Sequence, residues 1–225
     1  DTNVKIYEQL GGVDYADYKP GKYYISPYEV AGKEEVSQLG LPWNYQFSGF
    51  PMNKNETQLF PNIEESLYKN RPIIFDTETT GFSPEKGEEV VQITLVNEMG
   101  QSILNTYLKP YCKTQWKQAQ AIHHISPLMV QTSPHLDQYS DFLQTVFDKA
   151  SVIVGHNVAF DVRFVEKCGK VSIDKKNTFD TMKQFKKEAP NLKHKLDDAV
   201  QYYCPEYYEI YKNGAHNSYY DTVAT

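Results

Sequence analysis

The amino-acid sequence predicts an α/β domain with a mixed sheet, preceded by an irregular extension. Three observations carry this. Residues 1–68 are studded with Gly, Pro, Asn and aromatics and show little sustained periodicity. From residue 71 onward, apolar runs alternate regularly with turn signals. The early runs are hairpin-connected and the later ones are separated by helical patterns, which is the arrangement of a mixed sheet with flanking helices.

The elements follow in order. IEESLYKN (63–70) is expected as a short helix leading into the first strand, PIIFDTET (72–79). VVQITLVN (90–97) and SILNTYLK (102–109) are two further strands joined by the tight turn NEMG, hence an antiparallel hairpin. In residues 136–150, Leu136, Tyr139, Leu143, Val146 and Phe147 recur at helical spacing. SVIVGHN (151–157) is a buried strand, and AFDVRFVEKCG (159–169) is a helix with Gly169 at its end. NTFDTMKQF (177–185) predicts a short strand and turn, LKHKLDDAVQYY (192–203) a helix, and HNSYYDTVAT (216–225) the start of another. The domain division expected is 1–68, a Tyr-rich extension, and 69–225. The extension's aromatics suit either packing or stacking on nucleic-acid bases, worth ~1–3 kcal/mol per base.

Composition bounds the function. Apolar residues make up 40% of the 225, enough for a packed core. A net charge of −6 argues against a protein whose whole surface is a basic nucleic-acid clamp, but allows a local basic patch or a metal-mediated contact with an anion. Residues 1–70 hold 6 basic and 10 acidic side chains of the 23 and 29 in the chain, so the larger part, with 17 and 19, is near neutral. Cys112, Cys168 and Cys204 form no CxxC pair, which predicts reduced, unligated thiols and a cytoplasmic setting. No apolar run is long enough to span a bilayer, so no membrane association is expected. The chain begins at Asp1 without a signal-like segment, as expected of a trimmed chain.

The chemistry gathers around carboxylates. Asp76 and Glu78 are two apart on a predicted strand, so they project from the same face near its end. Buried like charges this close repel unless a cation lies between them. D-x-E alone fits either a wet edge-strand face or a pair of ligands for a hard divalent cation. GHNVAFD delivers Asp161 to the first turn of a helix, and AHNSYYD delivers Asp221 with His216 five residues before it. Five residues on one helix span about 500°, so His216 and Asp221 converge only if His216 sits on the loop before the helix. His194 and Asp198, four apart, are expected as an ordinary side-chain pair on one helical face.

DTETTGF, IHHIS, GHNVAFDVRF, KLDDAVQYY and HNSYYD, in this order, resemble the DEDDh-type 3′–5′ exonucleases of the ribonuclease H-like superfamily, a family that includes the proofreading epsilon subunit of bacterial DNA polymerase III. The resemblance covers about residues 70–225. It implies a ribonuclease H-like sheet of five strands, the first three antiparallel, flanked by helices. By position, Asp76, Glu78, Asp161 and Asp221 match the four carboxylates that hold two divalent metal ions, Mg²⁺ or Mn²⁺. His216 matches the histidine that takes a proton from the attacking water. Thr79 and Phe160 match positions that touch the terminal nucleotide. Ala119, Ile122 and His123 match a segment lining the 3′-end pocket, and Asn157 matches a residue of the second motif. Where the family usually has glycine after the histidine, this chain has His124. His123 and His156 serve equally well as packed polar residues. The family's last helix normally continues beyond its final acid, so a missing C-terminal region is expected here.

The activity implied is metal-dependent 3′–5′ hydrolysis releasing 5′-mononucleotides. The partner is nucleic acid, DNA ahead of RNA, with a polymerase or another replication or repair protein as a further partner. The alternative is a non-catalytic nucleic-acid-binding or polymerase-associated module that keeps the fold. The lysines at 175, 176, 183, 186, 187, 193 and 195 form a run that suits either a solvated face or a phosphate-contacting rim.

Overall fold

The structure, a computed structural model, describes residues 63–225. The readings made for the aromatic segment fall outside the described residues up to residue 62. Five strands form one sheet: β1 (Pro72–Thr79), β2 (Val90–Asn97), β3 (Ser102–Tyr107), β4 (Val152–Gly155) and β5 (Thr178–Asp180). Seven α-helices accompany them among the described residues: α1 (Lys117–His123), α2 (Ser140–Lys149), α3 (Val158–Gly169), α4 (Thr181–Glu188), α5 (Leu196–Tyr203), α6 (Tyr208–Gly214) and α7 (Ser218–Ala224). No helix among the described residues is long and apolar enough to cross a membrane.

The sheet order is β3-β2-β1-β4-β5. β1 pairs antiparallel with β2 and β2 with β3, whereas β4 joins β1 in parallel and β5 joins β4 in parallel. The mixed sheet with its first three strands antiparallel is therefore present as expected. Gly100, at φ 72, closes the β2–β3 turn, a left-handed position that costs glycine little.

β1 alternates cleanly: Ile73, Phe75, Thr77 and Thr79 are buried on one face, with Asp76 and Glu78 half-buried on the other. The first face packs on α2, where the Phe75 and Phe147 rings meet edge-on at 5.4 Å, and on α3. The second face continues onto β2, since Asp76 pairs with Thr94 and Glu78 with Gln92. It is covered by α7, whose Ser218 hydroxyl lies 2.6 Å from that of Thr94. β1 thus runs between two helical layers, and its carboxyl end opens between them.

Several elements differ from expectation. Residues 63–70 contain a single 3₁₀ turn (Glu65–Leu67), and β3 stops at Tyr107 rather than 109. The helix expected over 136–150 begins as a 3₁₀ turn (Leu136–Tyr139) and becomes α2 at Ser140. The turn expected after β5 is helix α4, started by Asp180, whose carboxylate accepts the Lys183 amide. The helix expected from 192 starts only at Leu196, because the Lys195 amide is capped by the Asp198 carboxylate and the His194 carbonyl is engaged by His156. His194 and Asp198 therefore do not share a helical face. His194 instead places Nε2 3.2 Å from the Ala189 carbonyl.

Candidate active site

Three local devices bring four carboxylates to the carboxyl end of β1. Asp76 and Glu78 come from strand alternation. With Asp221 of α7 they offer carboxylate oxygens that all lie within 4.8 Å of one another. Asp161 comes from the first turn of α3, on the other face. Pairing between β1 and β4 ends at Ile74↔Val154. Beyond that point Asp161 Oδ1 accepts the Thr77 amide at 3.0 Å and the Thr77 hydroxyl at 2.7 Å. Asp161 lies outside the compact group of three, with one oxygen committed to this clamp.

Asp221 is held as firmly. Its Oδ1 accepts the Tyr211 hydroxyl at 2.9 Å and its Oδ2 the His216 amide at 3.2 Å. His216 lies on the loop before α7, in the left-handed region at φ 66, and Asn217 caps the helix. This is the loop placement that convergence with Asp221 requires. Thr77 and Tyr211 escaped the sequence reading. Thr77 carried a signal, since it stands between the two acids and alternation turns it to the opposite face. Tyr211 carried none, being one tyrosine in a tyrosine-rich stretch.

The electrostatics of the group are unfavourable as it stands. Asp161 and Asp221 are only 3% and 8% exposed, and no lysine or arginine among the described residues pairs with any of the four acids. Burial first, then repulsion from the neighbouring acids, raises Asp76 and Glu78 well above the carboxylate range. Burial raises Asp161 to about 7 despite the opposing Thr77 hydrogen bonds, and Asp221 to about 7 despite those from Tyr211 and His216. An all-oxygen, anionic, cation-starved cluster is what a hard divalent ion requires of a protein. These residues fit such an ion.

His216 is exposed as a residue, yet its ring is crowded enough that partial desolvation lowers its pKa. Asp197 opposes this, while Lys195 and His124 reinforce it. His123 is buried, and burial pushes it down to about 4. Its Nδ1 accepts the Ile125 amide at 3.0 Å, which leaves Nε2 as the donor to the Thr79 carbonyl at 3.2 Å. It thereby ties the segment after α1 to the end of β1.

The remaining predicted contact residues are less concentrated. The Thr79 hydroxyl turns back to the Gly81 carbonyl at 2.6 Å. Ala119 packs on a cluster formed by Val91, Tyr107, Trp116, Ile125 and Val130. Ile122 is exposed, and Phe160 leans on Phe164 with ring centroids 4.9 Å apart. Asn157 is exposed at φ 69 and gives its amide to Asp180 at 3.2 Å. His124 takes the left-handed C-cap of α1 at φ 63, the conformation a glycine would adopt without strain. A 620 Å³ apolar cavity between α4, α5, α6 and α7 takes in none of the four acids.

Comparison with known proteins supplies the context. The family model described as Exonuclease (RNase_T) matches residues 73–225. The DNA polymerase III subunit epsilon of Rickettsia typhi is 27% identical over 140 residues, covering 56% of this chain and 59% of the relative. The PolC-type DNA polymerase III of Clostridium perfringens is 32% identical over 117 residues, covering 50% of this chain and 8% of the relative. Escherichia coli ExoI, solved in a zinc-bound complex with single-stranded DNA, superposes with a TM-score of 0.53 at 16% identity, covering 69% of this chain and 38% of that one. That likeness is one of fold. The chain spans 59% of the length of the epsilon relative.

Proposed function

Because this chain belongs to the DEDDh-type exonucleases of the ribonuclease H-like superfamily, we propose that it hydrolyses phosphodiester bonds at nucleic-acid 3′ ends and releases 5′-mononucleotides. The observation that carries this reading is the cluster of Asp76, Glu78 and Asp221, with Asp161 close enough to repel the first two and no cationic partner for any of them among the described residues. Asp76, Glu78, Asp161 and Asp221 would hold two divalent ions, Mg²⁺ or Mn²⁺, which when bound supply positive charge to the phosphate and acidify water. Phosphodiester cleavage concentrates negative charge on the phosphate oxygens, and four uncompensated acids would by themselves repel that substrate.

The chain's own residues then have separable tasks. Thr77 fixes the rotamer of Asp161 through two donors, and Tyr211 with the His216 amide fixes Asp221. A carboxylate so held reaches its ligand without ordering entropy still to lose. His216 accepts the proton of the attacking water at a ring nitrogen. Its lowered pKa keeps the ring neutral further into acid than an ordinary histidine. His123 donates to the Thr79 carbonyl and remains neutral throughout that range, so the end of β1 stays in place. The named DNA polymerase III relatives support DNA ahead of RNA as substrate, and a polymerase as partner.

The test is a time course on 5′-labelled single-stranded DNA with Mg²⁺ or Mn²⁺, comparing the wild type with Asp76→Ala. The wild type should shorten the strand one nucleotide at a time from its 3′ end. Asp76→Ala should lose ~10²–10³-fold in rate, the scale for removing a principal electrostatic group, with its circular dichroism unchanged. Full activity in the variant, or release from the 5′ end, would overturn the reading. Metal binding without turnover on any strand would point to the non-catalytic module.

A further inference from the structure

Residues 181–195 hold five lysines, Lys183, Lys186, Lys187, Lys193 and Lys195, and one acid, Glu188. That is a local charge of +4 in a chain of −6, which leaves −10 for all other residues. All five lysines are exposed. Lys183, Lys186 and Lys187 stand at i, i+3 and i+4, on one face of α4, with buried Phe185 turned elsewhere. Like charges at this spacing repel and destabilise a helix unless an anion lies across them. Of these five ammonium groups, only that of Lys183 has a carboxylate partner among the described residues, Asp180 at 3.3 Å. Glu188 accepts instead from Gln184 and Tyr203.

This basic segment is fastened to the acid cluster. Asp180 Oδ1 accepts both the Lys183 amide and the Asn157 amide, at 3.2 Å each, which seats the start of α4 against the start of α3 and its Asp161. His156 Nε2 donates to the His194 carbonyl at 2.9 Å, between Lys193 and Lys195. Phe185, Ala189 and Ala199 pack together and hold α4, its following loop and α5 as one body. Lys195 begins α5, and its charge acts on His216. Lys175 and Lys176, by contrast, precede β5 and lie at the opposite end of the sheet, so the run of seven lysines divides in two.

We propose that Lys183, Lys186, Lys187, Lys193 and Lys195 form a rail for the phosphates of the strand whose 3′ end occupies the acid cluster. The rail rests on the nuclease reading and adds to it the path of the substrate. Lys195 acts on His216 beside the acids, and α4 carries Lys186 and Lys187 away from its start at Asp180 at ~1.5 Å per residue.

The experiment compares the full chain, the triple variant Lys186→Glu/Lys187→Glu/Lys193→Glu, and the control Lys175→Glu/Lys176→Glu. Binding is read by anisotropy of a labelled single-stranded DNA of about 20 nucleotides, longer than the ~4–16 nucleotides such grooves cover, over a salt series with Ca²⁺ in place of Mg²⁺. Five contacts predict a slope of log affinity against log salt of about −3.5, and the triple variant should be shallower by about 2. With Mg²⁺, the ratio of kcat/KM for the oligonucleotide to that for thymidine 5′-(p-nitrophenyl phosphate) should fall at least ~10-fold in the triple variant. The control should match the wild type in both. A purely structural defect would lower both substrates together and leave the ratio intact. An unchanged slope with an unchanged ratio overturns the rail. If the wild type cleaves neither substrate, the nuclease reading fails, and the salt slope still decides the rail.

Discussion

Thr77 shows how much one uncharged residue contributes to a site made of acids. It stands between Asp76 and Glu78 in the chain, and strand alternation sends it through the sheet to clamp Asp161 on the other side. The acids themselves are held in a state that costs stability until a cation arrives. Carboxyl groups whose folded pKa is raised favour the protonated form. Their contribution is fully present below the ordinary value of 3.8 and is lost as pH rises through about 7. Asp76→Asn removes one of the mutually repelling charges. In chelator at about pH 8 the variant should melt above the wild type, by ~2–4 °C for each kcal/mol of repulsion relieved, and the gap should close towards about pH 4. Thermal denaturation across that range checks it, and a variant melting at or below the wild type throughout would refute it.

At the level of elements, β4 and its turn into α3 set the reach of Asp161. A Cβ placed on Gly155 would lie 3.0 Å from Val158 Cγ2 and 3.2 Å from Val158 Cα, at the first residue of α3. Gly155→Ala must push that helix start aside by a few tenths of an ångström, three residues before Asp161. Overpacking of this kind costs ~1–3 kcal/mol. The variant should therefore melt several degrees lower and bind Mn²⁺ more weakly; a melting temperature equal to the wild type would show that α3 yields freely. The elements legible in the sequence were those with strong period or turn chemistry: β1, β2 and the Gly100 turn, and α2 and α3. Those that were not legible have a local cap that the short strand before it hides, a contact distant in sequence, or a stop residue that is not glycine. α4 is started by a cap from the last residue of β5, and α5 is delayed because His156 takes the His194 carbonyl across 38 positions. α1 ends with His124 in a left-handed conformation that favours glycine, so its sequence hides its own stop signal.

For the molecule as a whole, the sheet topology is what turns scattered motifs into one site. β1 lies at the centre of the order β3-β2-β1-β4-β5, so its carboxyl end is reached from one face by α3 and from the other by α7. The placements of Asp76, Glu78, Asp161, Asp221 and His216 were legible because each motif lies at the end or the start of an element. The clamps themselves were not: alternation places Thr77 on the face opposite the two acids but does not say what it binds there, and the Tyr211 hydroxyl leaves no pattern in a tyrosine-rich stretch. Convergence also couples the site's protonation to its filling. In the metal-free protein, burial and the neighbouring acids raise Asp76 and Glu78 well above the carboxylate range, and burial raises Asp161 and Asp221 to about 7, so the cluster favours protons where no cation is bound. A divalent ion must displace those protons. Mn²⁺ binding measured calorimetrically at about pH 6.5, in buffers of different ionisation enthalpy, should release more than one proton per protein molecule, with fewer released at about pH 9. Because an ion that binds only the folded state stabilises it by mass action, the rise in melting temperature with Mn²⁺ should shrink in parallel as pH falls from about 8 to about 5. Proton release near zero at pH 6.5, or a metal-induced rise independent of pH, would mean that the four carboxylates are already ionised and compensated before the ion binds.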